Sequence, residues 1–253
     1  MAITITKVFD NVVINDISLL DFNDVILNGI NGKEGLTITV TPNIDHFQRL
    51  RNSNNDFFNK AYQIATYRLC DSRIVQKLSK LKGKENSIEH VVPGSDLTKF
   101  LLQQPLIKQS KITVIGTSDK EIKKIIEKYQ LMNVQHYNPP MGFVKDPKEV
   151  SKSIDFIIES NPDVVFLAVG SPAQEHLAYA LFEKVGSNNT LSTQIFCIGA
   201  SLDFLSGKTK RAPAWMQKSH LEWLHRACSQ PKRLIPRYFN NLKYIIRFVF
   251  GGK

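Results

Sequence analysis

Residues 112–130 read ITVIGTSDKEIKKIIEKYQ, in which an apolar run, a polar turn and a helical pattern follow one another. The apolar run ends at Gly116 and has the composition of a buried strand. Four apolar residues after the turn recur at helical spacing: Ile122, Ile125, Ile126 and Tyr129. The stretch therefore predicts a strand followed directly by a helix.

Three further runs have strand character and stop at small or polar residues: 36–41, 164–169 and 195–198. A helical stretch from Pro147 to Ser160 precedes the second of them. Strands that are apolar throughout and separated by helices are typical of a parallel sheet covered on both faces. We therefore expect an α/β fold, with a Rossmann-like, largely parallel sheet flanked by helices. Ligands of such sheets bind beyond the carboxyl ends of the strands.

The composition is that of an ordinary globular protein, with 253 residues of which 42% are hydrophobic and 22% charged. Cys70, Cys197 and Cys228 stand far apart without CxxC spacing, which argues against a disulfide framework or a zinc site and fits a reducing compartment. The first residues lack a signal-peptide pattern, and no apolar run is long enough to span a bilayer. We therefore expect a chain that is neither exported nor membrane-spanning.

The net charge of +10 is concentrated at the carboxyl terminus. From Arg211 onward there are nine basic residues against a single acid, Glu222, so +8 of the +10 lies there. The composition changes most sharply at 208–211. We therefore expect a nearly neutral body over residues 1–207 and a basic appendage over residues 208–253, which suggests a polyanionic partner or an anionic membrane.

The appendage also has the pattern of an amphipathic helix. Its apolar stripe consists of Ile235, Phe239, Leu242, Ile246 and Val249. Polar residues fall mostly on the other side: Arg237, Asn240, Asn241 and Arg247. Such a helix can lie in the headgroup layer of an anionic leaflet, which predicts peripheral association with the cytoplasmic face of a membrane.

Two alternatives to membrane association stay open at this point. The helix could dock on the core and expose a solvated basic face. The basic, aromatic-containing tail could also belong to a nucleic-acid-binding or peripheral membrane protein without catalysis. We do not favour nucleic acid, because the basic residues are confined to one segment that also has a continuous apolar face.

Several common functional motifs are absent from the sequence. It contains no Gly-x-Gly-x-x-Gly after a strand, no P-loop and no Gly-x-Ser-x-Gly, so we expect no nicotinamide cofactor, no P-loop chemistry and no serine hydrolysis. Asp45 and His46 are close in sequence but have no second pair of metal-ligand residues nearby, and no Asp-x-Asp occurs. We therefore also expect no metal.

What remains is a series of small polar clusters, most of them at expected strand ends: Thr-Pro-Asn at 41–43, Cys-Asp-Ser-Arg at 70–73, Pro-Gly-Ser-Asp-Leu at 93–97, Gly-Ser-Pro-Ala-Gln-Glu at 170–175, Arg-Ala-Pro at 211–213 and Leu-Glu-Trp-Leu-His-Arg at 221–226. In this order and spacing they resemble the WecG/TagA/CpsF glycosyltransferase family over nearly the whole chain. Ser72 stands where the family pattern has Gly.

The resemblance implies transfer of a hexose or N-acetylhexosamine from a UDP-sugar to a polyprenyl-diphosphate-linked saccharide in bacterial cell-surface polysaccharide biosynthesis, with inversion. Such transfer needs a carboxylate that accepts the proton of the acceptor hydroxyl, and Asp71 matches this position. The alternative is that Asp71 caps a helix that begins near Arg73. Thr41 and Asn43 would contact the donor, although Asn43 could be only a turn residue.

The same resemblance places Gly170, Ser171, Gln174 and Glu175 in the donor pocket, where backbone N–H groups at a helix start can hold phosphate. The alternative for Gln174 and Glu175 is a surface pair in a first helical turn. Guanidinium groups bind phosphate oxygens in bidentate geometry and would neutralise the diphosphate in place of a metal. The residues expected in this role are Arg226, Arg233 and Arg237. The alternative is that these arginines are only a run of solvated charges. The sequence leaves open whether the chain forms a homo-oligomer.

Overall fold

The computed structural model describes residues 5–52, 56–186, 191–209 and 231–250. Its strands are β1 (Ile5–Phe9), β2 (Val12–Asp16), β3 (Thr37–Val40), β4 (Tyr67–Arg68), β5 (Lys111–Gly116), β6 (Asn133–Tyr137), β7 (Val164–Ala168) and β8 (Gln194–Cys197). Strands β3 to β8 form a six-stranded sheet of order β4-β3-β8-β7-β5-β6, in which every pair is parallel. The predicted α/β class and parallel sheet are therefore confirmed.

The helices are α1 (Leu19–Asn31), α2 (Ile44–Asn52), α3 (Asp56–Ile64), α4 (Arg73–Ser79), α5 (Gly94–Gln103), α6 (Pro105–Gln109), α7 (Asp119–Tyr129), α8 (Pro147–Ser160), α9 (Ala173–Val185), α10 (Ser201–Leu205) and α11 (Pro231–Phe250). Short 3-10 turns cover Lys80–Lys82, Lys84–Asn86 and Phe143–Lys145. The predicted helices after β5 and before β7 are present as α7 and α8.

Two apolar clusters lie on opposite faces of the sheet, because successive strand residues point to opposite sides. On one face α1, α5, α7 and α10 cover side chains such as Val114 and Phe166. On the other face α3, α8 and α9 cover side chains such as Ile115 and Val165. Both faces are thus covered, as the continuous apolar strands predict.

A third apolar cluster joins the amino-terminal hairpin, α2 and the carboxyl-terminal helix α11. Phe248 of α11 stacks on Phe9 of β1 with 4.8 Å between ring centroids. The Tyr244 hydroxyl donates a hydrogen bond of 2.7 Å to Oδ2 of Asp10. The buried face of α11 consists of Leu234, Asn241, Tyr244 and Phe248. This face of α11 therefore docks on the core, as the first alternative to membrane association predicts.

The predicted apolar stripe lies on a different side of α11 and is exposed. Its five residues are between 42% and 58% exposed: Ile235, Phe239, Leu242, Ile246 and Val249. Helix α11 thus has two apolar faces, of which one packs on the protein and the other meets solvent. In the part of the chain that the structure describes, no helix is both long enough and apolar enough to cross a bilayer.

Candidate active site

Four neighbouring strands place the predicted site residues at one edge of the sheet. Because β4, β3, β8 and β7 are adjacent and parallel, their carboxyl ends lie side by side. Thr41 follows β3, Asp71 comes soon after β4, and Gln174 lies in the first turn of the helix after β7. This edge is where ligands bind in open α/β sheets. We call these strand ends and the turns after them the carboxyl edge.

Asp71 is held by the backbone on two sides. Its N–H donates to the carbonyl oxygen of Pro42 at 2.9 Å. Its Oδ1 accepts a hydrogen bond of 3.3 Å from the N–H of Gly94, the first residue of α5. The carboxylate therefore lies at the amino-terminal end of a helix, where unpaired backbone N–H groups favour negative charge.

Ser72, and not Asp71, caps the helix that begins at Arg73. The Oγ of Ser72 accepts a hydrogen bond from the N–H of Val75 at 3.3 Å. The alternative of Asp71 as the cap is therefore wrong. Ser72 has φ −143° and ψ 117°, an extended conformation that needs no glycine. The departure from the family pattern therefore leaves this turn unstrained and adds a cap that glycine lacks.

Thr41 lies close to the same helix start. A Cβ added to Gly94 would stand 3.1 Å from the Oγ1 of Thr41, so the absence of a side chain lets α5 approach β3 closely. Thr41 and Asp71 thus converge on Gly94 from two different strands.

Asn43 caps α2 through its side chain. Its Oδ1 accepts a hydrogen bond of 3.0 Å from the N–H of Asp45, and its carbonyl oxygen accepts from the N–H groups of His46 and Phe47. The side-chain oxygen of Asn43 therefore has a local structural role, as expected for the alternative in which Asn43 is a turn residue.

Gln174 and Glu175 are 3% and 0% exposed, so the alternative of a surface pair is wrong. The Oε1 of Gln174 accepts a hydrogen bond of 2.7 Å from the N–H of Gly199, which follows β8. Its Nε2 donates to Oε1 of Glu175 at 2.9 Å. Burial raises the pKa of the Glu175 carboxyl above its usual value. Gln174 therefore ties the end of β7 to the end of β8.

Gly170 and Ser171 form the turn that leads into α9. Gly170 has φ +79°, in the left-handed region that favours glycine, and its carbonyl oxygen accepts from the N–H of Gln174 at 3.0 Å. The Ser171 Oγ is buried, and the Ser171 side chain favours the charged form of Glu175 through a hydrogen bond, against the larger opposing effect of burial on the Glu175 pKa. This turn places the start of α9 beside the ends of β7 and β8.

A buried pair that the sequence did not predict lies beside these residues. The Tyr62 hydroxyl and Nδ1 of His46 are hydrogen-bonded at 3.0 Å. Burial lowers the pKa of His46 from 6.5 to about 4. Burial raises the pKa of Tyr62, and Glu175 and Asp71 add to this effect through their charges. The sequence offered no signal for this contact, because the two residues lie on separate helices.

Arg237 approaches the carboxyl edge from α11. Its Nε lies 2.8 Å from Oδ1 of Asp45, and the Nε of Arg49 lies 2.9 Å from Oδ2 of the same carboxylate. Arg233 also belongs to α11, although only its backbone is described. Arg226 lies outside the described residues.

No group of three or more His, Cys, Asp or Glu side chains that could hold a metal ion exists within residues 5–52, 56–186, 191–209 and 231–250.

Comparison with known proteins adds a family to this geometry. The model of the glycosyl transferase WecG/TagA/CpsF family matches residues 6–252. The chain belongs to this family. Because the match covers nearly the whole chain, the resemblance predicted from the polar clusters is confirmed, and this WecG/TagA/CpsF family member is a glycosyltransferase.

Three curated relatives share one name, N-acetylglucosaminyldiphosphoundecaprenol N-acetyl-beta-D-mannosaminyltransferase. The protein of Bacillus subtilis (strain 168) is 31% identical over 247 residues, which are 92% of this chain and 89% of the relative. That of Bacillus spizizenii is 31% identical over 216 residues, 81% of this chain and 77% of the relative. A Staphylococcus aureus (strain MW2) protein is 25% identical over 203 residues, 78% and 73% of the two chains.

Proposed function

We propose that this glycosyltransferase moves an N-acetylmannosamine-like or glucose-like sugar from a UDP-sugar to a polyprenyl-diphosphate-linked saccharide, with inversion at the anomeric carbon. The observation that carries the proposal is the convergence of Thr41 and Asp71 on Gly94 at the carboxyl edge. The names of the relatives support an acceptor that ends in N-acetylglucosamine on undecaprenyl diphosphate.

Asp71 acts as the general base. Its carboxylate accepts the proton of the acceptor hydroxyl while that oxygen attacks the anomeric carbon. A bond from the acceptor oxygen to the anomeric carbon forms, the bond from that carbon to the diphosphate oxygen breaks, and UDP leaves. The single displacement inverts the configuration. The hydrogen bond from Gly94 orients the carboxylate for this step.

The donor is held by residues of several elements. Thr41 and Asn43 contact the sugar, and the turn of Gly170 and Ser171 presents backbone N–H groups to phosphate oxygens, with Gln174 and Glu175 fixing that turn against β8. Arginine guanidinium groups neutralise the departing diphosphate without a metal ion. These are Arg226, Arg233 and Arg237.

The appendage of residues 208–253 brings the enzyme to its lipid-linked acceptor at the cytoplasmic face of the membrane. The exposed stripe of α11 enters the headgroup layer, and basic residues such as Lys243 and Arg247 meet lipid phosphates. The inner face of the same helix stays packed on the hairpin and α2.

The test is to offer the purified protein a panel of UDP-sugars with polyprenyl-diphosphate N-acetylglucosamine and to measure UDP release. We expect release with one sugar of the panel, and none with the Asp71→Asn variant or with polyprenyl phosphate alone. Absence of release with every UDP-sugar would contradict the proposal. A product that retains the anomeric configuration of the donor, read by NMR, would contradict inversion.

The metal-independent step has its own test. Transfer is expected to persist in excess EDTA, because arginines neutralise the leaving group in this mechanism. Loss of transfer in EDTA, restored by Mg²⁺ or Mn²⁺, would show that the reaction uses a divalent cation.

A further inference from the structure

Asp45 is a buried carboxylate shared by two arginines from different helices. It is 3% exposed and lies in the first turn of α2. Arg49, one helical turn further on, occupies Oδ2 at 2.9 Å, and Arg237 of α11 occupies Oδ1 at 2.8 Å. Neither the family resemblance nor the names of the relatives assign a role to this residue.

A short series of contacts connects Asp45 to the proposed catalytic base. The N–H of Asp45 donates to the side chain of Asn43. The residue before Asn43 is Pro42, and its carbonyl oxygen accepts a hydrogen bond from the N–H of Asp71. The carboxylate that contacts Arg237 therefore lies in the first turn of the helix that directly follows Pro42 and Asn43.

The charges show what this carboxylate does for α11. Arg49 and Arg237 are each only about one third exposed, at 34% and 32% of their side chains. Without Asp45, two like charges from different helices would lie close together with no carboxylate between them. Asp45 contacts Arg237 through Nε, whereas the fork that binds phosphate oxygens also uses the terminal guanidinium nitrogens.

We propose that Asp45 is a positioning residue, which fixes α11 at the carboxyl edge and aims the guanidinium of Arg237 at the diphosphate of the donor. This inference rests on the proposed function, in which Arg237 binds that diphosphate. Asp45 itself touches no substrate. It acts through Arg237 by setting where the guanidinium stands relative to Asp71 and Asn43.

The test compares UDP binding and steady-state kinetics of the full chain in four variants: Asp45→Asn, Arg237→Ala, the double variant and Asp10→Asn. Asp10 is the matched control, because it also anchors α11, through the Tyr244 hydroxyl, but does not contact Arg237. UDP affinity is measured by calorimetry, and turnover is measured with a short-chain, soluble acceptor so that membrane binding does not contribute.

Asp45→Asn is expected to weaken UDP binding by about tenfold or more, on the scale at which misplacement of a binding group lowers activity. Asp10→Asn is expected to lower the melting temperature while UDP affinity stays within about twofold. In the Arg237→Ala background, Asp45→Asn should weaken UDP binding no further. A purely structural role of Asp45 would weaken binding in both backgrounds, and this result would overturn the inference.

The remaining outcomes separate this inference from the proposed function. If Arg237→Ala weakens UDP binding and Asp45→Asn does not, Asp45 is not the positioning residue while the proposed role of Arg237 stands. Tighter UDP binding by Asp45→Asn would mean that the carboxylate competes with the diphosphate, which also overturns the inference. If Arg237→Ala leaves UDP affinity unchanged, the proposed diphosphate-binding role of Arg237 and the positioning role of Asp45 both fail. Should Asp45→Asn not fold, Asp45→Glu, which shifts the carboxylate by one methylene, is measured in its place with the same expected direction.

Discussion

The N–H of Gly94 and Oδ1 of Asp71 are joined by a hydrogen bond of 3.3 Å. This contact ties the start of α5 to the end of β4 and points the carboxylate at the same glycine that Thr41 approaches. Because Ser72 caps α4, the carboxylate of Asp71 is not needed to satisfy the helix that follows it. The capping role therefore belongs to Ser72, which leaves the carboxylate of Asp71 available for the role of base that we propose for it.

Asp71→Asn is expected to lower transfer by about 100-fold or more, the scale of general base catalysis, with little change in melting temperature. The amide keeps the size of the side chain and an oxygen that can accept from Gly94, but it does not take up a proton. Initial rates with saturating donor and acceptor measure the effect. Activity within a few-fold of the unmodified enzyme would exclude Asp71 as the base.

Ser72→Ala is expected to lower the free energy of unfolding by about 1 kcal/mol through loss of the cap on α4, and Ser72→Gly by only a few tenths. Transfer should stay within about twofold in both variants, since Ser72 has no chemical role in the proposed mechanism. Urea denaturation and initial rates check the two expectations. An unfolding free energy of Ser72→Ala that equals that of the unmodified enzyme would show that the cap contributes little.

The buried imidazole of His46 predicts a loss of stability in acid. Its pKa is lowered from 6.5 to about 4 because burial disfavours the charged form. The unfolded chain therefore binds a proton below about pH 6.5 while the folded chain resists it until about pH 4. The free energy of unfolding should fall by about 3 kcal/mol across this window as the pH falls.

Urea denaturation at several pH values, with His46→Gln as the control, isolates this contribution. Glutamine stays neutral and can still form a hydrogen bond with the Tyr62 hydroxyl, so the stability of the variant should depend less on pH in that window. The pKa of Glu175 is raised, so above the usual pKa of a glutamate its contribution to the free energy of unfolding falls as the pH rises, opposite to that of His46. Glu175 is present in both proteins, so its contribution cancels in the comparison. Parallel curves for the two proteins would disprove the assignment to His46.

Charge reversal at Lys243 and Arg247 is expected to weaken binding to anionic vesicles by roughly 1 to 2 kcal/mol or more, since each basic residue near the surface contributes about 1 kcal/mol. Turnover of a short-chain, soluble acceptor should stay nearly unchanged. Sedimentation with vesicles of varied anionic lipid content gives the measurement.

The matched control reverses two exposed lysines of α7, Lys120 and Lys123, which changes the net charge equally. If both pairs weaken binding equally, only the overall charge matters and α11 is not the binding surface.

The sequence predicted four strands of the sheet, β3, β5, β7 and β8, and it missed β4 and β6. Strands β5, β7 and β8 are buried on both faces and are apparent as unbroken apolar runs. Strand β6 at the edge of the sheet has the half-polar sequence NVQHY, and β4 has only two residues, so neither shows a pattern. The carboxyl edge was predictable because the polar clusters follow the predicted strands.

The contacts within that edge depend on residues far apart in the chain, which a sequence pattern does not reveal. Gln174 has the appearance of a surface residue in a first helical turn, yet it is buried because the N–H of Gly199 meets it from the next strand. Asp45 was considered only as a metal ligand, whereas its partner Arg237 comes from the last helix. The apolar stripe of α11 was predicted, but the second apolar face that docks the helix was not.

The inner face of α11 has a consequence for how the enzyme meets a surface. A segment that becomes helical only on contact loses conformational entropy at that moment, which lowers its affinity for a given contact area. Helix α11 is already ordered against Phe9 and Asp10, so its outer stripe is pre-organised before any encounter. If the stripe meets lipid as we propose, this contact requires no folding step. The binding free energy of the stripe is then not reduced by the cost of ordering the helix.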